Sequence, residues 1–522
     1  MTPLHRPGAA LVTAAVAVLL VAGGGVAAAA PLAASDDGGR PVWVVTGIGL
    51  LVAVSLALTV VSSITLAWML HAWRTPETMA ATRFDAPDLP PAHRFSLLVP
   101  ARHEEPVLGA TLDRLAAGRH PNVEILAIVG HDDPGTEAVA RAAAERHPNL
   151  IRVVIDHTVP KTKPAALNTA LAHVTGDVVG VFDAEDEVHP ELLSRVDAFM
   201  QDGGAAVVQG GVQLVNLDSS WWALRNCLEY FFWYRSRLHF HAHARFVPLG
   251  GNTVFLRTDL IREADGWDAR CLAEDCELGV RLSADGADIA VAYDPELATR
   301  EETPPTIAAL IRQRTRWDQG FLQVFRKGEW RRLPLWTQRA LARYTLAMPF
   351  LQAFSGLMIP VSAALMIWAK VPTPVMLTSF LPLAPTFVTL VVEVCALAEL
   401  SKSFALRARA REYILLVLGT FPYQVLLAFA AVRSVWRELR GERGWEKTAH
   451  VGAHRVGPAA IETPHELATV VLPAGAAAVT LVKSPAPAPL AGSDGAAPHP
   501  EPGTVDAGAA RGDEGPAPER EG

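Results

Sequence analysis

An α/β domain on a mostly parallel sheet, held between membrane-spanning helices, is the architecture this sequence predicts. Three observations predict it. Long uncharged runs precede and follow a polar stretch, and none lies between Arg74 and Arg343. Within that stretch, short apolar runs alternate with Ala-rich amphipathic ones. The apolar runs end on clusters of charged residues.

The composition agrees. The chain is 50% hydrophobic and only 19% charged, with mean hydropathy +0.22, whereas a soluble domain carries about 25% charge. Dominant disorder is excluded, because that class is poor in apolar residues. Four cysteines in 522 residues (Cys227, Cys271, Cys276 and Cys395), with no CxxC pair, exclude a disulfide scaffold and argue against a structural zinc site. A net charge of −8 gives no reason to expect nucleic acid as a partner.

A membrane span needs about 20 apolar residues. Gly8–Ser35 and Pro41–Leu70 carry no charge, and neither do Tyr344–Ala369, Val371–Val392 and Tyr413–Val432. The layout predicted is two N-terminal transmembrane helices within 1–75, a polar domain over 90–335, and a C-terminal membrane region over 336–455. The spans of that last region fall near 344–369, 371–400 and 412–433. The first run, after His5 and Arg6, also reads as a cleaved signal peptide, although it exceeds the usual apolar core. Arg74 and Arg83 follow the second run, while the loop before it carries Asp36, Asp37 and Arg40. The positive-inside rule then puts the polar domain on the cytoplasmic face of a cell (inner) membrane. Basic residues flank Tyr413–Val432 on both sides, so it either crosses or is a re-entrant or interfacial element broken by Gly419 and Pro422. Glu393 in an apolar run would cost on the order of 3 kcal/mol facing lipid, so it is expected to face protein, water or the interface. From 456 to 522 the chain is Pro-, Ala- and Gly-rich and reads as a disordered tail.

In the polar domain, Phe95–Pro100, Val123–Val129, Ile151–Ile155, Asp177–Phe182 and Ala205–Val215 read as strands, with helices at Thr136–Arg146 and Pro164–His173 between them. Such alternation means crossover units, whose ligands sit beyond the carboxyl ends of strands. Those ends here are Arg102–Glu105, His131–Asp133 and Asp183–Glu187. Asp183 and Glu185, two residues apart, point the same way on an extended backbone and would repel. A divalent cation, Mg2+ or Mn2+, removes that conflict and is typically held by one or two carboxylates plus substrate phosphates; a solvated acidic turn is the plain alternative. Lys163 opens a helix and reads as a phosphate site or as a solvated lysine. Glu274 and Asp275 fall in a loop before a helical run at Cys276–Ala284, where Asp275 also reads as a helix cap. Gln313, Arg316 and Trp317 share one helical face, which equally suits a basic helix on the membrane surface. Trp221, Trp222, Tyr230, Phe231, Phe232, Trp233 and Tyr234 fit a helix near the membrane or in the core. His239, His241 and His243 alternate without a fourth ligand, which favours packing over metal binding.

Together, Asp132-Asp133, Asp183-Ala-Glu185, Glu274-Asp275 and Gln313-x-x-Arg316-Trp317 resemble glycosyltransferase family 2, in its membrane-embedded, cellulose-synthase-like and hyaluronan- or chitin-synthase-like branch. The resemblance covers about Phe95–Pro334 and the flanking membrane layout. It implies a GT-A-like, Rossmann-like fold and metal-dependent inverting transfer from a nucleotide sugar, with a UDP-sugar favoured. Residue by residue, it implies a donor site at Pro100, Ala101, Glu104, Asp132, Asp133, Lys163, Asp183 and Arg316, with Asp133 favoured against the base. It implies a metal at Asp183 and Glu185, an acceptor site at Gly251, Asn252, Glu274, Gln313 and Trp317, and Asp275 as catalytic base. Two departures stand out: Asp-Ala-Glu replaces the DxD pair, and Ala273 replaces the threonine of TED, yet every acid is kept. Trp445-Glu-Lys-Thr448 reads as a donor-gating stretch or an interfacial tryptophan. The acceptor implied is a growing β-linked polysaccharide or a lipid-linked sugar, alongside membrane lipid. The alternatives are a single-addition glycolipid synthase and, in another class, a transporter or scaffold that only binds nucleotide.

Overall fold

The computed structural model describes residues 42–455, apart from 77–78, 80–82, 85–88, 369–371, 443, 447–451 and 453. The expectations for residues 1–41, for Lys447 and Thr448, and for the tail lie outside the described residues.

Helix α1 (Val42–Met69) is the second of the two N-terminal segments expected. The domain then alternates as predicted. In chain order come β1 (Phe95–Ala101), α2 (Leu108–Ala116), β2 (Val123–Gly130), α3 (Pro134–Arg146), β3 (Ile151–Asp156), α4 (Lys163–Leu171), β4 (Val178–Val181) and α5 (Leu192–Gly203). Short side chains start these helices where sequence chemistry says they should. Asp133 accepts from Thr136 N before Pro134 opens α3, and Thr162 accepts from Ala165 N before α4.

The expected strand Ala205–Val215 is instead two, β5 (Val207–Gln209) and β6 (Val212–Leu214), interrupted at Gly210-Gly211. Helix α6 (Trp221–Phe232) carries the aromatic stretch and runs through a π-helical turn, Trp233–Arg237, into α7 (Leu238–His243). Then follow β7 (Val254–Arg257), α8 (Thr258–Glu263), α9 (Glu274–Ala284), β8 (Ile289–Val291), β9 (Thr299–Glu301) and α10 (Ile307–Lys327).

The main sheet runs β3-β2-β1-β4-β7-β5-β8. β1 pairs in parallel with both β2 and β4, so the chain reverses its direction of winding between β1 and β4. The crevice at the carboxyl ends of those two strands is where ligands of open α/β sheets bind. β7 lies antiparallel between β4 and β5, and β6 pairs with β9 in a separate two-stranded sheet. Alternate strand residues feed opposite faces. Leu97, Val99, Ile125 and Val129 pack against Leu108, Leu112 and Ala140 of α2 and α3. Leu98, Leu126, Ile128 and Val181 face a second cluster with Leu167, Leu228 and Phe231.

Beyond the domain lie α11 (Trp336–Leu346), α12 (Met348–Trp368), α13 (Thr373–Ser379), α14 (Leu383–Ser403) and α15 (Ala410–Arg440). Among the described residues, four helical stretches are long and apolar enough to cross a membrane: Val44–Met69, Met348–Trp368, Thr373–Ser403 and Ala410–Arg440. Gly419 and Pro422 do not break α15, a continuous helix of 31 residues.

The second cluster of the domain extends into these helices. Ala396, Leu397 and Leu400 of α14 and Leu416 of α15 are fully buried in it. At roughly 1.5–3 kcal/mol for each buried leucine, apolar packing rather than charge fixes the junction. Charge then sets its register. Glu393 of α14 pairs with Arg225 of α6 at 2.6 Å, so it faces protein as expected. Glu399 accepts from Trp73 Nε1 at 2.7 Å and pairs with Arg235 at 2.5 Å. His239 meets His71, after α1, at 3.0 Å (Nδ1 to Nε2), a packing contact between helices.

Arg225 is 4% exposed, so Arg225→Ala should destabilise the detergent-purified protein by about 3–5 kcal/mol, because it strands a buried charge. Replacing both partners, Arg225→Met with Glu393→Leu, should recover most of the lost melting temperature.

Candidate active site

The crevice between β1 and β4 gathers the acids from distant parts of the sequence. Lys163, at the first turn of α4, extends across it. Its Nζ donates to Asp183 Oδ1 and, at 2.8 Å, to Gly251 O. Burial works against this charge, but Asp183, Glu274 and Asp275 more than offset it and hold Lys163 well above an ordinary lysine.

Glu274 and Asp275 do not sit in a loop before a helix. They form the first turn of α9, with Ala273 at its cap position. Acids are favoured there by the helix dipole, which hid the boundary from a pattern of apolar spacing. Burial pushes Glu274 up to about 8, helped by Asp275 and opposed by Lys163 and Arg316. Burial also raises Asp275, against the Cys276 N–H, Lys163 and Arg316. The Cys276 N–H donates to Asp275 Oδ1 at 2.7 Å. A side chain on Gly251 would stand 3.1 Å from Asp275 Oδ2 and 3.4 Å from Lys163 Nζ. Glycine at 251 is what keeps the approach between these groups open.

Asp183 and Glu185 leave β4 as expected. Asp183 is paired with Lys163. Glu185 is 7% exposed, and its carbonyl accepts from Arg455 Nη2 at 3.1 Å. Beside them Asp186 is fully buried. Burial first, then Glu301, Asp183 and Glu185, push its carboxyl well above the usual range. Such crowding of oxygen donors fits a hard divalent cation. Asp183 and Glu185 are the residues that would hold it, with phosphate oxygens completing the shell.

Three further donors, His103, Glu105 and Asp133, also bring ligand atoms within 4.8 Å of one another at the β1 exit. Asp133 is committed there as the α3 cap and as acceptor of the His103 N–H at 2.6 Å. Its neighbour Asp132 is exposed and held by Arg102 through two bonds of 2.9 Å. That guanidinium keeps Asp132 well below the usual carboxylate range. Pro100 and Ala101 close β1, and the Glu104 N–H donates to Thr136 Oγ1 at 3.1 Å.

Gln313, Arg316 and Trp317 lie on α10 as the spacing predicts. Among the described residues, Gln313 Oε1 and Arg316 Nε are buried without a hydrogen-bond partner. The Arg316 guanidinium lies 4.4 Å from the ring centroid of Trp445, which follows α15. Trp317 faces Tyr230 with centroids 6.1 Å apart. Asn252 is the residue expected at the acceptor. Its amide is spent inside the protein, on Asp186 at 3.1 Å and on Glu301, so it braces the acid cluster.

Residues 91–320 match the family model described as Glycosyltransferase like family 2. They are a glycosyltransferase domain. The probable glycosyltransferase YdaM of Bacillus subtilis (strain 168) is 29% identical over 241 residues, 44% of this chain and 55% of the relative. A beta-monoglucosyldiacylglycerol synthase of Synechocystis sp. (strain ATCC 27184 / PCC 6803 / Kazusa) is 27% identical over 261 residues, 47% of this chain and 53% of the relative. The chain thus spans about half the length of the curated relatives it matches. Among solved structures, the mannosyltransferase PcManGT from Pyrobaculum calidifontis, in complex with GDP-Man and Mn2+, is 21% identical, with a TM-score of 0.48, covering 74% of this chain and 100% of that one.

The glycosyltransferase domain has a GT-A-like fold with a mostly parallel sheet. Sequence reasoning missed three of its site residues. Asp186 looked like part of an acidic turn, Glu301 reaches the cluster only through the β6–β9 pairing, and Arg455 arrives from beyond the last apolar helix.

The turn that carries Glu274 and Asp275 also rests on helix α10. A methyl group on Gly320 would stand 2.6 Å from Ala273 N. Gly→Ala within a helix normally stabilises by about 1 kcal/mol. Here the clash is with backbone, so Gly320→Ala should instead cost about 1–3 kcal/mol and lower activity by shifting Glu274 and Asp275. Thermal unfolding and nucleotide release, measured together, check both signs.

Proposed function

We propose that this protein is an inverting glycosyltransferase that moves a sugar from a nucleotide-sugar donor, in our reading a UDP-sugar, to an acceptor presented at a membrane. The observation that carries the reading is Asp275: a half-buried carboxylate at the first turn of α9, beside Gly251 and Lys163, with Lys163 in turn bonded to Asp183 and to the Gly251 carbonyl.

The donor lies along the β1–β4 crevice. Asp132, exposed beside Arg102, takes the nucleotide base, while Asp133 is occupied as a helix cap. Lys163 and Arg316 supply positive charge where the diphosphate leaves. A cation held by Asp183 and Glu185 would neutralise diphosphate charge and polarise the departing oxygen. The acceptor hydroxyl is a poor nucleophile and needs a carboxylate within hydrogen-bond reach to take its proton. Asp275 does this, and its raised affinity for protons suits the task. Lys163 and Arg316 keep it ionised until the hydroxyl arrives. Attack opposite the leaving group gives a β-linkage from an α-linked donor. Gln313 Oε1 and Arg316 Nε, buried and unsatisfied among the described residues, are groups that a bound substrate would satisfy. Trp317 stacks on the acceptor sugar.

The four apolar helices among the described residues support a position in the cell (inner) membrane, with the domain on the cytoplasmic face by the distribution of Arg and Lys. A second reading is a single-addition glycolipid synthase, and it is favoured by the exposed apolar faces of these helices, such as Phe354, Leu357 and Ile359 on α12.

Membranes containing the full chain, incubated with a panel of radiolabelled nucleotide sugars, should release nucleotide from one of them. Asp275→Asn should cut that release by about 100-fold or more; unchanged turnover removes the assignment of the base. Sizing the labelled product separates a polymer from an extractable lipid.

A further inference from the structure

Trp317 is flanked by a charge that the proposed reaction does not use. Arg314 lies one helical turn earlier on α10, a spacing that brings side chains together, and its guanidinium stands 4.8 Å from the centroid of the indole ring. Two other elements hold that guanidinium. Its Nη2 donates to Asn226 Oδ1 and Glu229 Oε2 on α6, and lies 3.3 Å from the Tyr423 hydroxyl on α15. The Tyr423 hydroxyl donates in turn to Glu229 Oε2 at 2.9 Å. Tyr423 is 1% exposed, with the edge of Trp221 against its ring at 6.5 Å. Tyr230, the residue after Glu229, faces Trp317.

We propose that Arg314 is a positioning residue for the acceptor: gripped by Glu229, Asn226 and Tyr423, it fixes the indole of Trp317 in one orientation, so that the last apolar helix sets the platform on which an acceptor sugar stacks. This rests on the acceptor role given to Trp317 under the proposed function. A free indole samples several rotamers, and a sugar that stacks on it must pay for that ordering at the moment of binding. A ring already held in the folded protein avoids the cost. The grip depends on a planar guanidinium that reaches several oxygens at once, which the point charge of lysine does not reproduce. If the ion pair were only a weld between helices, its loss would lower stability and all kinetic constants together.

The test uses full-chain membranes, the nucleotide sugar that supports release in the panel above, and two acceptor probes that carry a β-linked glucose, octyl β-glucoside and β-glucosyl diacylglycerol. Arg314→Lys and Tyr423→Phe should raise the acceptor KM about three- to tenfold. The donor KM and the slow release of nucleotide to water should stay within about twofold. Tyr423→Phe removes one hydroxyl and nothing of the helix packing, so it decides the matter if Arg314→Lys fails to fold. Donor and acceptor constants that move together, or an acceptor KM that does not move, overturn the inference. A wild-type protein that releases nucleotide but is stimulated by neither probe removes the stacking role of Trp317, and this inference with it. A wild-type protein that releases no nucleotide from any donor overturns the proposed function itself.

Discussion

The site depends on one half-buried lysine, Lys163. Asp183, Glu185, Asp186, Glu274, Asp275 and Glu301 crowd a single crevice, and two carboxylates about 4 Å apart repel by roughly 4 kcal/mol at the effective dielectric of a partly buried site. A handful of such pairs would exceed the 5–15 kcal/mol by which a domain is stable. Lys163 offsets them by bonding Asp183 and the Gly251 carbonyl while its charge reaches Glu274 and Asp275. It ties the start of α4, the end of β4 and the loop before β7 into one unit. Arg316 lends a second positive charge from α10. The same arrangement that lets the acids be buried leaves two positive charges at the crevice.

A second constraint is the junction with the apolar helices. Glu393, Glu399 and Glu438 each place an acid opposite an arginine of the domain, at Arg225, Arg235 and Arg326. Gln319 and Gln323, two and six residues beyond Trp317, also reach Glu438, each at 3.3 Å. Helix α10 is therefore held along much of its length by α15, and the face that carries Gln313, Arg316 and Trp317 inherits that placement.

Much of this was legible in the sequence, and the reasons are physical. Strands β1, β2 and β4 announce themselves because they are buried on both faces and bounded by proline or charge. Helix α10 follows from the three- and four-residue spacing of Gln313, Arg316 and Trp317. What stayed hidden depends on long-range pairing. The antiparallel insertion of β7, the split of 205–215 into two sheets, and the arrival of Glu301 beside Asp186 leave no local mark. Asp132 and Asp133 look alike in sequence, and only the turn geometry assigns one to the helix cap and the other to solvent. Asn252 reads as a polar loop residue, yet it is consumed by two buried acids. The start of α9 was misplaced because acids suit both loops and helix N-termini.

The burial of Ala396, Leu397, Leu400 and Leu416 in the cluster beneath strands β1, β2 and β4 has an evolutionary consequence. A domain whose inner face is completed by these apolar helices is not a cassette that recombination can lift out and attach to another set of helices. Substitutions in that shared layer must be matched across the junction, so the α/β domain and the apolar helices are bound to diversify as one lineage.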